Sequence, residues 1–227
     1  KWHQDLIEID SLNRSTLEKN NETMLRAFSL LDGNFKYSKK ENIKFIRDNM
    51  ALPFTHHSRL GFVYFAQLNN LLRKDVITEA QKNSLLLSVK SISTKMKSDA
   101  YQVKLGKKSL SSFLDIYGHI RAGNYNLSSS NLKNNLEFTE LLVHNSEPQD
   151  ENISLQKVIF SNIDKYFELN NIPYTASAWV EMFQTAIATR ENSKFYYTKG
   201  IDGILNEIEE QNISDEELFQ RLNIEFS

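Results

Sequence analysis

Leu155-Gln156-Lys157-Val158-Ile159-Phe160-Ser161-Asn162-Ile163-Asp164-Lys165-Tyr166-Phe167-Glu168-Leu169 is the stretch that decides the fold class. Leu155, Val158, Ile159, Ile163 and Phe167 recur at intervals of three and four. That spacing lines one face of an α-helix and leaves the charged residues opposite, whereas a strand would need strict alternation. A helix is predicted over 154–169, with Pro173 beyond its end. Downstream, Thr175 to Glu191 reads as an alanine-rich helix, followed by helices over Ile201–Glu210 and Asp215–Leu222. The last begins with the capping box Ser214-Asp215-Glu216-Glu217.

Upstream, the polar stretch Asn145–Asn152 contains Pro148 and marks a loop or subdomain boundary. Before it, Asn131–His144 reads as helical through Leu132, Leu136 and Leu141, and Leu110–Arg121 as helical until Gly123-Asn124 breaks it. Tyr101–Leu105 alternates and is assigned a brief strand. Thr78-Glu79-Ala80-Gln81 caps a helix buried through Leu85, Val89, Ile92 and Met96. Ser58–Lys74 is expected to bury Phe62, Phe65, Leu68 and Leu72. Ser38-Lys39-Lys40-Glu41 opens a helix carrying Ile43, Ile46 and Met50, which Pro53 is expected to end. Ser15-Thr16-Leu17-Glu18 opens the first, through Met24, Leu25, Phe28 and Leu31, with Gly33 at its stop. The fold class is all-α, a multi-helix globular domain with at most one short strand. Scarcity of glycine (7) and proline (3) agrees, because β-meanders and phosphate-binding loops use more glycine.

Length and charge bound the function. A chain of 227 residues can bury a real core. A net charge of −2 supplies no basic field for nucleic acid or an anionic membrane, so neither is an expected partner. No apolar run approaches the ~18 residues of a membrane span. The absence of cysteine removes disulfides, thiolate catalysis and cysteine zinc sites, and fits a reducing, cytoplasmic setting. The chain opens on Lys1-Trp2-His3, with neither an initiator Met nor a basic-then-apolar leader, as expected of one domain, 1–227, cut from a longer polypeptide.

Chemistry concentrates in three clusters. Thr55-His56-His57-Ser58-Arg59-Leu60-Gly61-Phe62 puts donors and a cation at an expected helix N-terminus, where free N–H groups favour anions; capping plus a surface Arg is the plainer reading. Adjacent His56 and His57 point in different directions, a poor arrangement for a metal, and no metal site is predicted. Tyr117-Gly118-His119-Ile120-Arg121-Ala122-Gly123-Asn124-Tyr125-Asn126 combines glycines that let backbone approach a ligand with an Arg fork suited to carboxylate or phosphate; a glycine-stopped helix end explains it equally. Arg190-Glu191-Asn192-Ser193-Lys194-Phe195-Tyr196-Tyr197-Thr198-Lys199 places Arg190 and Lys194 on one helical face with Glu191 able to orient either, or is simply a solvated helix end. Walker, GxGxxG, HExxH and GxSxG signatures are absent.

Taken in order, these clusters resemble the helical segment of proteins related to phosphoenolpyruvate synthase. The resemblance runs from Thr55 to Leu222 and includes Ser58-Arg59-Leu60-Gly61-Phe62 through Thr78, Tyr117 to Leu127, and Arg190 to Leu205. The second motif is the most specific, and it departs from the family pattern: Ala122 stands for Pro, Asn124 for Thr and Asn126 for Asp. If that Asp contacts substrate in the family, then here either the substrate differs or the contact comes from an amide. The resemblance implies an ATP-grasp-like domain, a swivelling phosphohistidine domain and an acceptor-binding region, of which this chain would be the last. ATP and Mg²⁺ then belong to the full enzyme, with no cofactor held by this piece, which would be inactive alone.

Within the group the resemblance implies L-glutamine kinase, converting ATP, L-glutamine and water to phosphoglutamine, AMP and phosphate for capsular polysaccharide phosphoramidate. The implied acceptor-binding residues are His57, Arg59, His119, Arg121, Tyr125, Arg190 and Lys194. Arg59 or Arg121 would hold the acceptor carboxylate, and His119 or His57 would orient or deprotonate the amide. Arg190 and Lys194 would stabilise the moving phosphoryl group. The alternatives are a structural docking platform for the swivel domain, in a phosphoenolpyruvate-synthase-like or antibiotic phosphotransferase, and an all-α extracytoplasmic sensor module.

Overall fold

The computed structural model describes residues 15–16, 18–27, 44–121, 129–148, 155 and 157–209, with side chains to residue 203. Among these residues the fold is all-α, with no strand. Residues 44–46 are helical and continue through a π-helical turn, Arg47–Ala51, into helix α1, Leu52–Arg73. Then follow α2 (Glu79–Leu87), α3 (Ile92–Lys104), α4 (Leu110–Tyr117), α5 (Leu136–His144), α6 (Lys157–Leu169) and α7 (Ala176–Glu209). The Leu155–Leu169 periodicity is realised in α6, where Ile159, Ile163 and Phe167 are buried.

Pro53 does not end its helix. The Leu52 amide bonds back to the Arg47 carbonyl, a π-type pairing, and Pro53 falls in the first turn of α1. Proline is tolerated there because its missing N–H is not needed, and the π-turn absorbs the change of register. The buried face of α1 also differs from expectation. It runs through His57, Gly61, Tyr64, Leu68 and Leu71, while Phe62 is 61% and Phe65 41% exposed. The cause is Gly61: a Cβ there would lie 2.7 Å from Arg190 Cδ, so the side-chain-free position faces α7.

α1 and α7 are antiparallel. Trp179 Nε1 donates to Gln67 Oε1 (2.8 Å), Gly61 meets Arg190, and a Cβ at Gly200 would lie 2.9 Å from Met50 Sδ. The main core fills the space between α1, α6 and the first half of α7, where Trp179 stacks on Phe183 at 5.6 Å and meets the edge of Phe167 at 6.4 Å. A second cluster joins Met24, Ala27, Ile46 and Met50. A third joins Ala100, Phe113, Tyr117, Leu132 and Phe195.

Other boundaries move for local reasons. Tyr101–Leu105 is not a strand; Tyr101 to Lys104 form the end of α3. The helix expected to run from Thr78 through Met96 is two, because Ser91 opens a new capping box with Thr94. Helices expected at 175–191 and 201–210 are one, α7. α4 stops at Tyr117, and α5 starts at Leu136 with Asn135 as its cap. α1 closes with Asp75 at φ 55°, Val76 N–H reaching Leu71 O and Asp75 N–H reaching Leu72 O; α6 closes likewise with Asn171 at φ 52°. These are left-handed caps made by short polar side chains where glycine is more usual. The features expected at Ser38–Glu41, Phe28–Gly33, residues 149–152 and Ser214–Glu217 lie outside the described residues. Among the described residues no helix is long and apolar enough to cross a membrane.

Candidate functional site

The second half of α7 buries polar groups. Thr189, Ser193 and Asp202 are 8%, 1% and 7% exposed. Two other elements are fastened to this stretch. Asn192 Oδ1 accepts from the Ile92 amide (2.9 Å), capping the start of α3 from across the fold, and Ser93 Oγ donates to Glu191 Oε2 (3.0 Å). Beyond α4, Arg121 donates from Nη2 to Asp202 Oδ1 (2.7 Å) and from Nη1 to the Ser129 carbonyl (2.6 Å). Asn131 Nδ2 shares Asp202 Oδ1 at 3.1 Å, and Arg121 and Asn131 form an isolated antiparallel bridge. Asp202 therefore holds both strands of the chain that flank residues 122–128.

Between these attachments lies a cavity of about 340 Å³. Its walls are Ile92, Ser93 and Met96 of α3; Tyr117, His119, Ile120 and Arg121; and Glu191, Lys194, Phe195, Tyr197, Thr198 and Ile201 of α7. This volume falls within the range of small-molecule sites. A mainly aliphatic and aromatic lining with a few polar groups also suits one, since apolar walls exclude water and the polar groups set orientation.

His119 is 8% exposed and set edge-on against Phe195 at 4.6 Å. Its pKa is depressed to about 4. Burial is the main cause and the Lys199 ammonium adds to it; the Asp202 carboxylate and backbone hydrogen bonds at Phe195 and Ile116 oppose it. At neutral pH the imidazole is uncharged, so it orients a partner by hydrogen bonding better than it takes up a proton. Burial also lowers the Lys194 pKa, with the Arg190 charge adding and Glu191 opposing. An anion beside Lys194 would offset that cost. Tyr117 donates to Asp99 (2.7 Å), which also pairs with Lys108 (2.9 Å). Burial and this bond push the phenol pKa well above its usual value. Burial alone would raise the Asp99 pKa, but its bonds from Lys108 and Tyr117 outweigh that and hold it below normal.

Of the residues singled out from sequence, the structure brings His119, Arg121 and Lys194 to this cavity. Arg190 stands behind its wall: the guanidinium lies 5.0 Å from the Phe62 ring centroid and bonds Glu191 Oε1 at 2.5 Å. His57 is buried on α1 and Arg59 is exposed, and neither lines the cavity. The Thr55–Phe62 cluster lies inside a continuous helix, so the free N–H groups expected of a helix start are not there. Tyr125 lies outside the described residues.

Sequence reading missed Asp202 and Ser93. Asp202 stands eight positions after Lys194 and near the same helical face, a relation visible only once α7 is taken as continuous. Among the described residues no three His, Asp or Glu side chains gather in a way that could hold a metal ion. No protein-family model, curated protein or solved structure matches this chain.

Proposed function

We propose that the cavity binds the acceptor of an ATP-dependent phosphotransferase working through a phosphohistidine domain, and that the acceptor is L-glutamine. The observation carrying this reading is convergence. The second and third family-like motifs, far apart in sequence, form two walls of one partly open cavity, with α3 as the third. The first motif packs behind them through Gly61 and Phe62 against Arg190. Motifs that only capped helices would have no reason to meet around a cavity.

In this reading His119 orients the acceptor's side-chain amide as a neutral hydrogen-bonding group. Arg121, with both arms committed to Asp202 and Ser129, acts as a strut for the wall. ATP and Mg²⁺ belong to other domains, and none of these residues is assigned to them. The reaction consumes ATP, L-glutamine and water and yields phosphoglutamine, AMP and phosphate. Its setting is cytoplasmic, where ATP is available. The docking-platform reading is favoured by one feature, the exposed α1 residues Leu52, Phe62, Val63 and Phe65 beside Arg59.

A thermal-shift titration with L-glutamine, L-glutamate, pyruvate and rifampicin tests the proposal. A ligand at a hundred times its Kd adds about 2.7 kcal/mol, or roughly 5–10 °C for a domain of this size. A shift with L-glutamine alone is expected. No shift with any of the four overturns the acceptor reading in favour of the platform.

A further inference from the structure

We propose that Glu191 and Lys194 are the specificity-determining pair of the cavity, Glu191 taking a ligand's ammonium group and Lys194 its carboxylate. The inference rests on reading the cavity as an acceptor site, and it says which groups select the ligand's head.

The argument starts from spacing. The two residues are three apart on α7, which puts their side chains side by side on one helical face, about 5–6 Å between Cβ atoms. Both line the cavity. Opposite charges at that separation match a molecule carrying an ammonium and a carboxylate on the same carbon. A dicarboxylate would meet Glu191 with like charge, and a simple amine would bring no carboxylate to Lys194.

Glu191 is built to hold its position. Its side chain is only 23% exposed, and its oxygens accept from Arg190 Nη1 (2.5 Å) and Ser93 Oγ (3.0 Å). A carboxylate offers about four acceptor positions, so these two bonds fix it and leave capacity for a ligand's N–H donors. Arg190 is itself held against the Phe62 ring and Gly61. The support thus runs from α1 through Arg190 to Glu191, and from α3 through Ser93. Arg121 is unsuited to the carboxylate role because both arms of its fork are used within the wall. The Lys194 ammonium is half-buried at a position where an anion would be favoured. Apolar Ile92, Met96 and Phe195 leave the rest of the space for a side chain.

The test is calorimetric titration of the protein and of its Glu191→Gln and Lys194→Met variants. The ligands are L-glutamine, N-acetyl-L-glutamine, the α-carboxamide of L-glutamine, and the other common L-amino acids. The unaltered protein is expected to prefer L-glutamine over both blocked forms by about tenfold or more, the worth of one charge-assisted hydrogen bond. Glu191→Gln should lose the preference over the N-acetyl form and keep that over the α-carboxamide. Lys194→Met should do the reverse, with Lys194→Arg restoring part of it. A purely structural role would weaken all three ligands alike and leave these ratios unchanged. L-glutamine binding with unchanged ratios in both variants therefore overturns the pair and leaves the acceptor reading standing. Binding of a different amino acid with the crossed loss of preference supports the pair and removes L-glutamine. Silence across every amino acid overturns the pair, and the pyruvate and rifampicin titrations then decide the acceptor reading.

Discussion

The two halves of α7 solve different problems with the same backbone. From Ala176 to Ala186 the inward side is Trp179, Val180, Met182 and Phe183, packed against α1 and α6. From Thr189 to Asp202 the buried side includes Thr189, Ser193 and Asp202, with Glu191, Lys194 and Phe195 around the cavity. Apolar burial is non-directional and contributes stability wherever it occurs. Buried polar groups contribute only when each finds its partner, and otherwise cost more than they return. A helix that changes from the first kind of interior to the second has given up packing for geometry, which is what a binding site requires.

The comparison breaks most sharply at Phe183, which has no exposed surface. Phe183→Ala should cost about 3–5 kcal/mol through lost burial and the cavity left behind. For a chain of this size that lowers the melting temperature by about 10 °C. Ligand affinity of the molecules that remain folded should hardly change. A comparable loss of affinity in calorimetry would show that the two halves are not separable.

In the polar half the next largest effect belongs to Asp202. Asp202→Ala removes the carboxylate from the half-buried Arg121 guanidinium, which keeps its bond to the Ser129 carbonyl, and should cost about 3 kcal/mol in chemical denaturation. The combined Arg121→Met, Asp202→Leu variant should lose less than the Asp202→Ala single variant, because no charge is left unpaired. Additive losses would mean that the pair stabilises the fold outright, as the apolar half does.

His119 gives the comparison a pH axis. Its folded pKa of about 4 lies below the usual 6.5, so the unfolded chain takes up the proton first. Stability from this group is full above about pH 6.5 and falls as pH drops toward 4, by roughly 3 kcal/mol at most. His119→Gln should remove that part of the pH dependence. Denaturation curves at pH 7 and pH 4.5 for both proteins measure it, and parallel pH profiles would refute it.

How far these features can be read from sequence follows the same division. The all-α class is plain in Leu155–Leu169, because a helix that buries one face must repeat its apolar residues. Helix ends were less legible. The break before Ser91 depends partly on Asn192, a hundred residues away, whose side chain caps Ile92. The continuity of α7 through 192–200 depends on packing against α1 and Met50 rather than on local propensity. His119, Arg121 and Lys194 stood out because charged and glycine residues cluster around them. Asp202 and Ser93 did not, because each gains its meaning from a partner on another helix.

The smallest expected effect lies where the two kinds of interior meet. Tyr117 has its ring in the apolar cluster with Phe113 and Phe195, at 4.9 and 6.0 Å, while its hydroxyl bonds Asp99 at 2.7 Å. Tyr117→Phe keeps the ring and removes one hydrogen bond, and Asp99 still has Lys108. The cost should therefore be about 1 kcal/mol, or a few degrees in melting temperature. Because Tyr117 also lines the cavity, the same variant asks whether the α3–α4 link sets the shape of the site. If the hydroxyl only ties α3 to α4, ligand affinity should move by less than about threefold while stability falls. A larger affinity loss at unchanged stability would instead assign the Tyr117 hydroxyl to the ligand, and would move the border between the two interiors to the Tyr117 ring.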